Sequence, residues 1–417
     1  MPSTRGKVHR VSAICFFGSL ALAIGCGGGS NTPAINKIAT PTQNVQAIVV
    51  DAGPAAFVTA NGGFPYVNGP FVTITVCAPG STTDCNTIDH VLVDTGSFGL
   101  RILSSSSGGE LTASLPTTSV SGNPLGECVQ FADTSFLWGP VATADVKIAG
   151  EEASSIPVNV VGDTTFSAAP GSCNTGGPDD DSIGTLGANG ILGVGFVQYD
   201  CGTFCSTGTP PSAFYYQCPT SGCTPSLVNL PQQVQNPVSL FAADNNGVII
   251  ELPTPSGPQA SLNGSMVFGI GTESNNGLAG ATVLTLDSNG NFTTKFNGST
   301  MSNSFIDSGS NGLFFDDNSL ASCQTNTSFY CPLTPASLEA VNSGSNAATS
   351  TVNFSVANAD AIFNNVPNDA VVPGLAGPND GSFTSFDWGL PFFYGRNVFT
   401  SIAGTSAPGG STPYWAY

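Results

Sequence analysis

The sequence is poor in positive charge. Its 417 residues carry 8 Lys+Arg against 27 Asp+Glu, a formal net charge of −19. So few basic side chains cannot neutralise a row of phosphates, which excludes electrostatic nucleic-acid binding. The same shortage excludes charge-driven adhesion to an anionic membrane. Histidine is nearly absent: the 2 residues are His9 and His90. A multi-histidine metal site is thereby excluded, and a Ser/His/Asp or Cys/His nucleophile would depend on His90 alone. Neither a metal nor a cofactor is expected. Charged residues make up only 8% of the chain, too few for the exposed faces of an ordinary helical protein. Long apolar runs are also scarce. One is evident, Val11 to Gly25.

That run, VSAICFFGSLALAIG, follows Arg5, Lys7 and Arg10. It is short for a membrane span and suits the apolar core of a signal peptide over 1–25. It ends in Ala23-Ile24-Gly25-Cys26. Small residues before a cysteine resemble the bacterial lipobox, which implies a lipid on Cys26. Gly27, rather than Asp, after that cysteine implies the outer membrane as its place in the cell envelope. The Gly, Ser, Asn, Thr and Pro that follow read as a flexible tether, so 26–46 lies outside the folded part.

Export makes cysteines candidates for disulfides. Ten follow Cys26: Cys77, Cys85, Cys128, Cys173, Cys201, Cys205, Cys218, Cys223, Cys323 and Cys331. Spacing favours Cys77–Cys85 and Cys323–Cys331. Cys201, Cys205, Cys218 and Cys223 crowd together and are expected to pair among themselves, leaving Cys128 for Cys173. A zinc ribbon on the crowded four is the alternative.

The sequence has 51 Gly and 30 Pro, and short apolar runs recur between turn residues. Phe71 to Val76, Ala144 to Ile148 and Pro157 to Val161 read as strands. The best short helix is Leu333 to Val341, with Pro335 near its start. The fold class is therefore mostly β. Asp179-Asp180-Asp181 reads as a solvated loop, His90 as a strand residue, and Arg101 and Arg396 as partners of carboxylates.

One pattern occurs twice. Val91-Leu92-Val93-Asp94-Thr95-Gly96-Ser97-Phe98-Gly99-Leu100 matches Ser304-Phe305-Ile306-Asp307-Ser308-Gly309-Ser310-Asn311-Gly312-Leu313. A lone Asp-Thr-Gly is ordinary turn chemistry. Two copies, each after an apolar strand and each continuing into Ser-x-Gly-Leu, point to a duplicated unit. A weaker echo follows each copy: Asn189-Gly190-Ile191-Leu192-Gly193 after the first, Phe386-Asp387-Trp388-Gly389-Leu390 after the second.

These motifs resemble those of pepsin-like aspartic proteases, and more closely a group of bacterial lipoproteins distantly related to pepsins. The resemblance runs from about Ala47 to Tyr417. It implies a bilobal fold, two pseudo-symmetric β-barrel lobes over 47–236 and 237–417 with a cleft between them. It also implies a catalytic pair, Asp94 and Asp307, that activates water. Thr95 and Ser308 would lock the two loops together, Gly96 and Gly309 would let them turn, and Ser97 and Ser310 would bind the outer carboxylate oxygens. Gly264-Ser265-Met266-Val267-Phe268-Gly269 would open the second lobe. A hairpin from Cys128 to Val146 would form the flap, with Phe131 where a flap Tyr is expected and Trp138 close by as a second substrate contact. Asp387 stands where an apolar residue is expected. The function implied is exported endopeptidase of extended peptides, acting as a monomer. The alternatives are a binding module on the same fold and a structural envelope lipoprotein.

Overall fold

The computed structural model describes residues 38–40, 42–174 and 176–417. The leader, Cys26 and most of the tether lie outside the described residues. The protein is mostly β, as its composition requires. In strand Pro70–Cys77, Val72, Ile74 and Val76 are buried while Thr73 and Thr75 are half-buried. That period-two pattern is a strand's own.

Both halves are built on the same plan. In the first, strand Cys85–Asp94 pairs parallel with Gly190–Val194, bringing Asp94 opposite Gly193. Strand Phe98–Leu103, just after the Asp turn, pairs antiparallel with the other side of Gly190–Val194. In the second, strand Ser299–Ile306 pairs parallel with Asp387–Trp388, and Leu313–Phe314 pairs antiparallel with that same strand. Each Asp turn therefore straddles a strand supplied by the echo that follows it. A Cβ on Gly389 would run into the Gly312 carbonyl, so that close approach needs glycine.

The halves share one sheet. Strand Val45–Val50 pairs antiparallel with Leu262–Phe268 of the second half and meets Pro70 and Phe71 of the first. One apolar cluster continues from Val72, Ile74 and Leu100 to Phe296, Phe315 and Trp388. At its far end Phe386 stacks between Phe315 and Trp388, with ring centroids 4.6 and 3.9 Å away. Five disulfides join Cys77–Cys85, Cys128–Cys173, Cys201–Cys205, Cys218–Cys223 and Cys323–Cys331. The four crowded thiols are thus bound to sulfur, which overturns the zinc alternative.

Three readings need correction. Leu333 to Val341 is not helical: Ala336–Ser343 is a strand paired with Thr349–Val356 on one side and Thr293 to Lys295 on the other. Two ladders outweigh a weak helical propensity. The triple Asp is not simply solvated, because Asp180 is 5% exposed and Asp181 Oδ1 accepts the Trp138 N–H at 2.8 Å. Burial pushes Asp181 up to about 8. Arg101 does meet carboxylates, Glu127 at 2.5 Å and Asp200 at 3.3 Å. Arg396 instead donates to the Phe392 carbonyl and lies 4.5 Å over that ring. His90 is a strand residue, beside Asp51 and Asp89.

Candidate functional site

Each Asp lies at the mouth of a tight turn whose next residues aim donors back at it. Gly96 N–H donates to Asp94 Oδ1 at 2.8 Å, and the Ser97 hydroxyl donates to Oδ2. Gly309 N–H donates to Asp307 Oδ1 at 2.8 Å, and the Ser310 hydroxyl lies 2.9 Å from Oδ2. The two turns are equivalent atom for atom.

They also hold each other. Thr95 Oγ1 donates to the Ile306 carbonyl at 3.1 Å and accepts the Ser308 N–H at 2.9 Å. Ser308 Oγ donates to the Val93 carbonyl at 2.7 Å and accepts the Thr95 N–H at 3.1 Å. This reciprocal lattice fixes the loops across the lobe interface and brings the two carboxyls into a hydrogen bond with one another. Gly96 is pressed against the opposite carboxyl, where a Cβ would lie 2.6 Å from Asp307 Cγ.

Both carboxyls are 0% exposed. Burial pushes Asp94 well above the usual carboxylate range, and the neighbouring Asp307 adds to this through its charge and its hydrogen bond. Ser97 and Gly96 pull the other way by binding the anion. A pair in this state shares a proton far above the pH at which an ordinary Asp has lost it.

A short segment bonded to Asn311 of the second motif bridges the two lobes. Residues 66–68 cross from the first lobe to the second. Tyr66 packs among Phe57, Phe71 and Phe131, whereas Val67 packs against the second-lobe cluster of Phe314, Phe329 and Leu375. Asn68, at φ 55, is wholly buried. Its amide donates to the Asn311 carbonyl at 2.8 Å and the Val372 carbonyl at 2.9 Å. Its carbonyl oxygen accepts from Val372 N and the Tyr394 hydroxyl. Burial pushes the Tyr66 phenol well up, and the charges of Asp180, Asp94, Asp133 and Asp307 add to it.

The hairpin of strands Asn123–Gln130 and Phe136–Ile148 carries Phe131 at its turn, 7% exposed and in the same apolar cluster as Tyr66. Trp138, on the second strand of the hairpin, is 5% exposed. It packs on Phe166 and Tyr216 and donates its indole N–H to the Ser167 carbonyl. Next to the first turn is a cavity of about 300 Å³, lined by Phe98, Arg101, Val129, Phe131, Asp200 and Phe214. Tyr66 and Asn68 escaped sequence reasoning, because Phe64-Pro65-Tyr66-Val67-Asn68-Gly69 reads only as a turn.

No curated protein matches the chain. Among solved structures, the crystal structure of aspartic proteinase from Irpex lacteus is similar, with a TM-score of 0.44 and 13% identity over 85% of this chain and 94% of that one. A family model described as "Protein of unknown function (DUF3443)" matches residues 40–417. With nearly all of its folded part covered by that match, the chain belongs to the DUF3443 family.

Proposed function

We propose that this protein is an exported aspartic-type endopeptidase, with Asp94 and Asp307 as its acid/base pair. The observation that carries the reading is the geometry of the pair: two buried carboxyls hydrogen-bonded to each other, each with its own Gly N–H and Ser hydroxyl. Amide hydrolysis needs a base to take a proton from water and an acid for the oxygen and leaving nitrogen. Two carboxyls sharing one proton supply both, because like charges at contact cannot both ionise. Neither role belongs to one residue, since the pair titrates as a unit. Burial and the neighbouring Asp307 raise the proton affinity of Asp94, which favours the shared-proton state.

The substrate is an extended peptide bound between the lobes, and the cavity beside Phe98 suits one of its apolar side chains. Entry of substrate and water requires the chain around the pair to move, because both carboxyls are fully buried. Wild-type protein should cleave a mixed peptide library, and Asp94→Asn and Asp307→Asn should each abolish cleavage and weaken a statine-type mimic whose hydroxyl replaces the water. Cleavage retained in both variants would refute the assignment. The complete burial of the pair favours one other reading, a non-catalytic peptide-binding module. Its mark would be peptide capture with no turnover between pH 2 and 8.

Export and a lipid on Cys26 belong to the same proposal. Fatty-acid labelling should be present in the wild type and lost in Cys26→Ser. Among the described residues no helix is long and apolar enough to cross a membrane.

A further inference from the structure

We propose that Asp387 is a positioning residue of the pair, holding a proton and, through Ser310, fixing the outer oxygen of Asp307. The proposal rests on the aspartic-peptidase reading above. Asp387 is 2% exposed and lies on the short strand between Ser299–Ile306 and Leu313–Phe314. Its Oδ2 is 2.7 Å from Ser310 Oγ, and that same oxygen is 2.9 Å from Asp307 Oδ2.

A hydroxyl has one proton, so Ser310 can donate to only one of these carboxyls. The other contact needs a proton from a carboxyl. The hydrogen bond between Asp94 and Asp307 needs another. Three contacts joined by one hydroxyl therefore require two protons on the three carboxyls, and the set carries a single negative charge.

Two arrangements satisfy that count. In the first, Asp387 donates to Ser310, Ser310 donates to Asp307, and Asp94 and Asp307 share the remaining proton. In the second, Asp94 donates to Asp307, Asp307 donates to Ser310, and Ser310 donates to an ionised Asp387. They differ only by protons moving along the chain, with no change in number or total charge. The first leaves a carboxylate in the pair to take a proton from water; the second does not. The fixed donors select the first. Gly96 N–H, Gly309 N–H and the Ser97 hydroxyl all point at the pair and stabilise negative charge there. Neutral Asp387 thus holds Ser310 turned towards Asp307.

Ionising Asp387 would reverse Ser310, take a donor from Asp307 and place a second charge beside the pair. Both changes favour uptake of a second proton by the pair, which idles it. The flanking strands Ser299–Ile306 and Leu313–Phe314 bring no titratable side chain. Lys295, on the strand beyond, is exposed. The groups on this path are Asp307 and Asp94, with the Tyr66 phenol feeling the charge of both.

The test is Asp387→Asn, whose amide can donate to Ser310 but cannot ionise. The alkaline limb of peptide hydrolysis should move down by about one pH unit relative to wild type, because no ionised Asp387 is left to strengthen the pair's hold on its shared proton. Ser310→Ala removes the relay atom, and in that background Asp387→Asn should shift nothing further. The infrared carbonyl band of protonated carboxyls at neutral pH should also lose one component in Asp387→Asn. An unmoved limb, or an unchanged band, overturns the proposal. If the wild type hydrolyses nothing while the band still disappears, the peptidase reading fails and the placement of the proton stands.

Discussion

Gly96→Ala is the sharpest probe of the paired-carboxyl geometry. The added Cβ would lie 2.6 Å from Asp307 Cγ and 2.7 and 2.8 Å from its two oxygens. Ordinary contact for such atoms begins near about 3.5 Å, so something must shift by roughly 0.8 Å. Asp307 cannot simply swing aside, because Gly309 N–H and Ser310 hold its two oxygens. Nor can the Gly96 loop retreat freely, because Thr95 is bonded on both its N–H and hydroxyl sides to the other lobe. The strain should cost about 1–3 kcal/mol of stability, as overpacking does elsewhere. A displacement of this size at reacting groups should reduce kcat/KM by about 100-fold. Gly277→Ala is the control, since a Cβ there meets nothing within 4 Å. Denaturant unfolding gives the stability, and hydrolysis with statine-type inhibition gives the site. A folded Gly96→Ala protein with wild-type activity would refute the placement of Gly96 against Asp307 and the paired chemistry with it.

Three other outcomes follow from the same geometry. Thr95→Ala removes a hydroxyl that donates once and accepts once across the lobes, leaving a buried Ser308 N–H unpaired, and should cost about 1–3 kcal/mol by denaturant midpoint; an unchanged midpoint would deny the lattice its structural role. Asp181 binds its proton more tightly folded than unfolded, so its burial costs nothing below pH 3.8 and the cost grows as pH rises towards about 8. Asp181→Asn should therefore leave stability unchanged near pH 4 and raise it progressively towards pH 7, by at most about 1.4 kcal/mol per pH unit. Asn68→Asp replaces two amide donations, to Asn311 and Val372, with oxygen facing oxygen. At about 0.5–1.5 kcal/mol per bond, it should lower stability by about 1–3 kcal/mol by denaturant midpoint; an unchanged midpoint would show that Asn68 does not tie the lobes together.

The parts of the site that sequence made legible are those whose chemistry is local. Gly96 and Ser97 reach Asp94 within three residues, and Gly309 and Ser310 do the same for Asp307. A duplicated motif of that kind exposes both donors and acceptor at once. The strands were legible where burial alternates, as in Pro70–Cys77. Ala336–Ser343 was not, because its helical look is intrinsic while its strand state comes from neighbours on both sides. Asn68 was invisible for a related reason. Its partners, Asn311 and Val372, lie 243 and 304 residues away in the chain. Asp387 was visible as an odd residue, but its link to the pair runs through Ser310 and needed coordinates.

The shortage of cations noted at the outset bears directly on the chemistry of the pair. A buried carboxylate must be compensated by a cation, by donors or by a proton. Cations are too few to serve every buried acid here. Arg101 serves one cluster, where it lies beside Glu127 and Asp200 and draws Asp200 down against the effects of burial and Glu127. The causes that move Asp94 include no cation at all: burial and Asp307 raise it, and only Ser97 and Gly96 oppose them. A cation at that point would bind both carboxylates in their ionised form and leave no proton to share. Compensation by donors and a shared proton instead keeps one acid and one base at contact. The same composition that rules out phosphate binding thus suits a pair whose reactivity depends on the absence of a neighbouring positive charge.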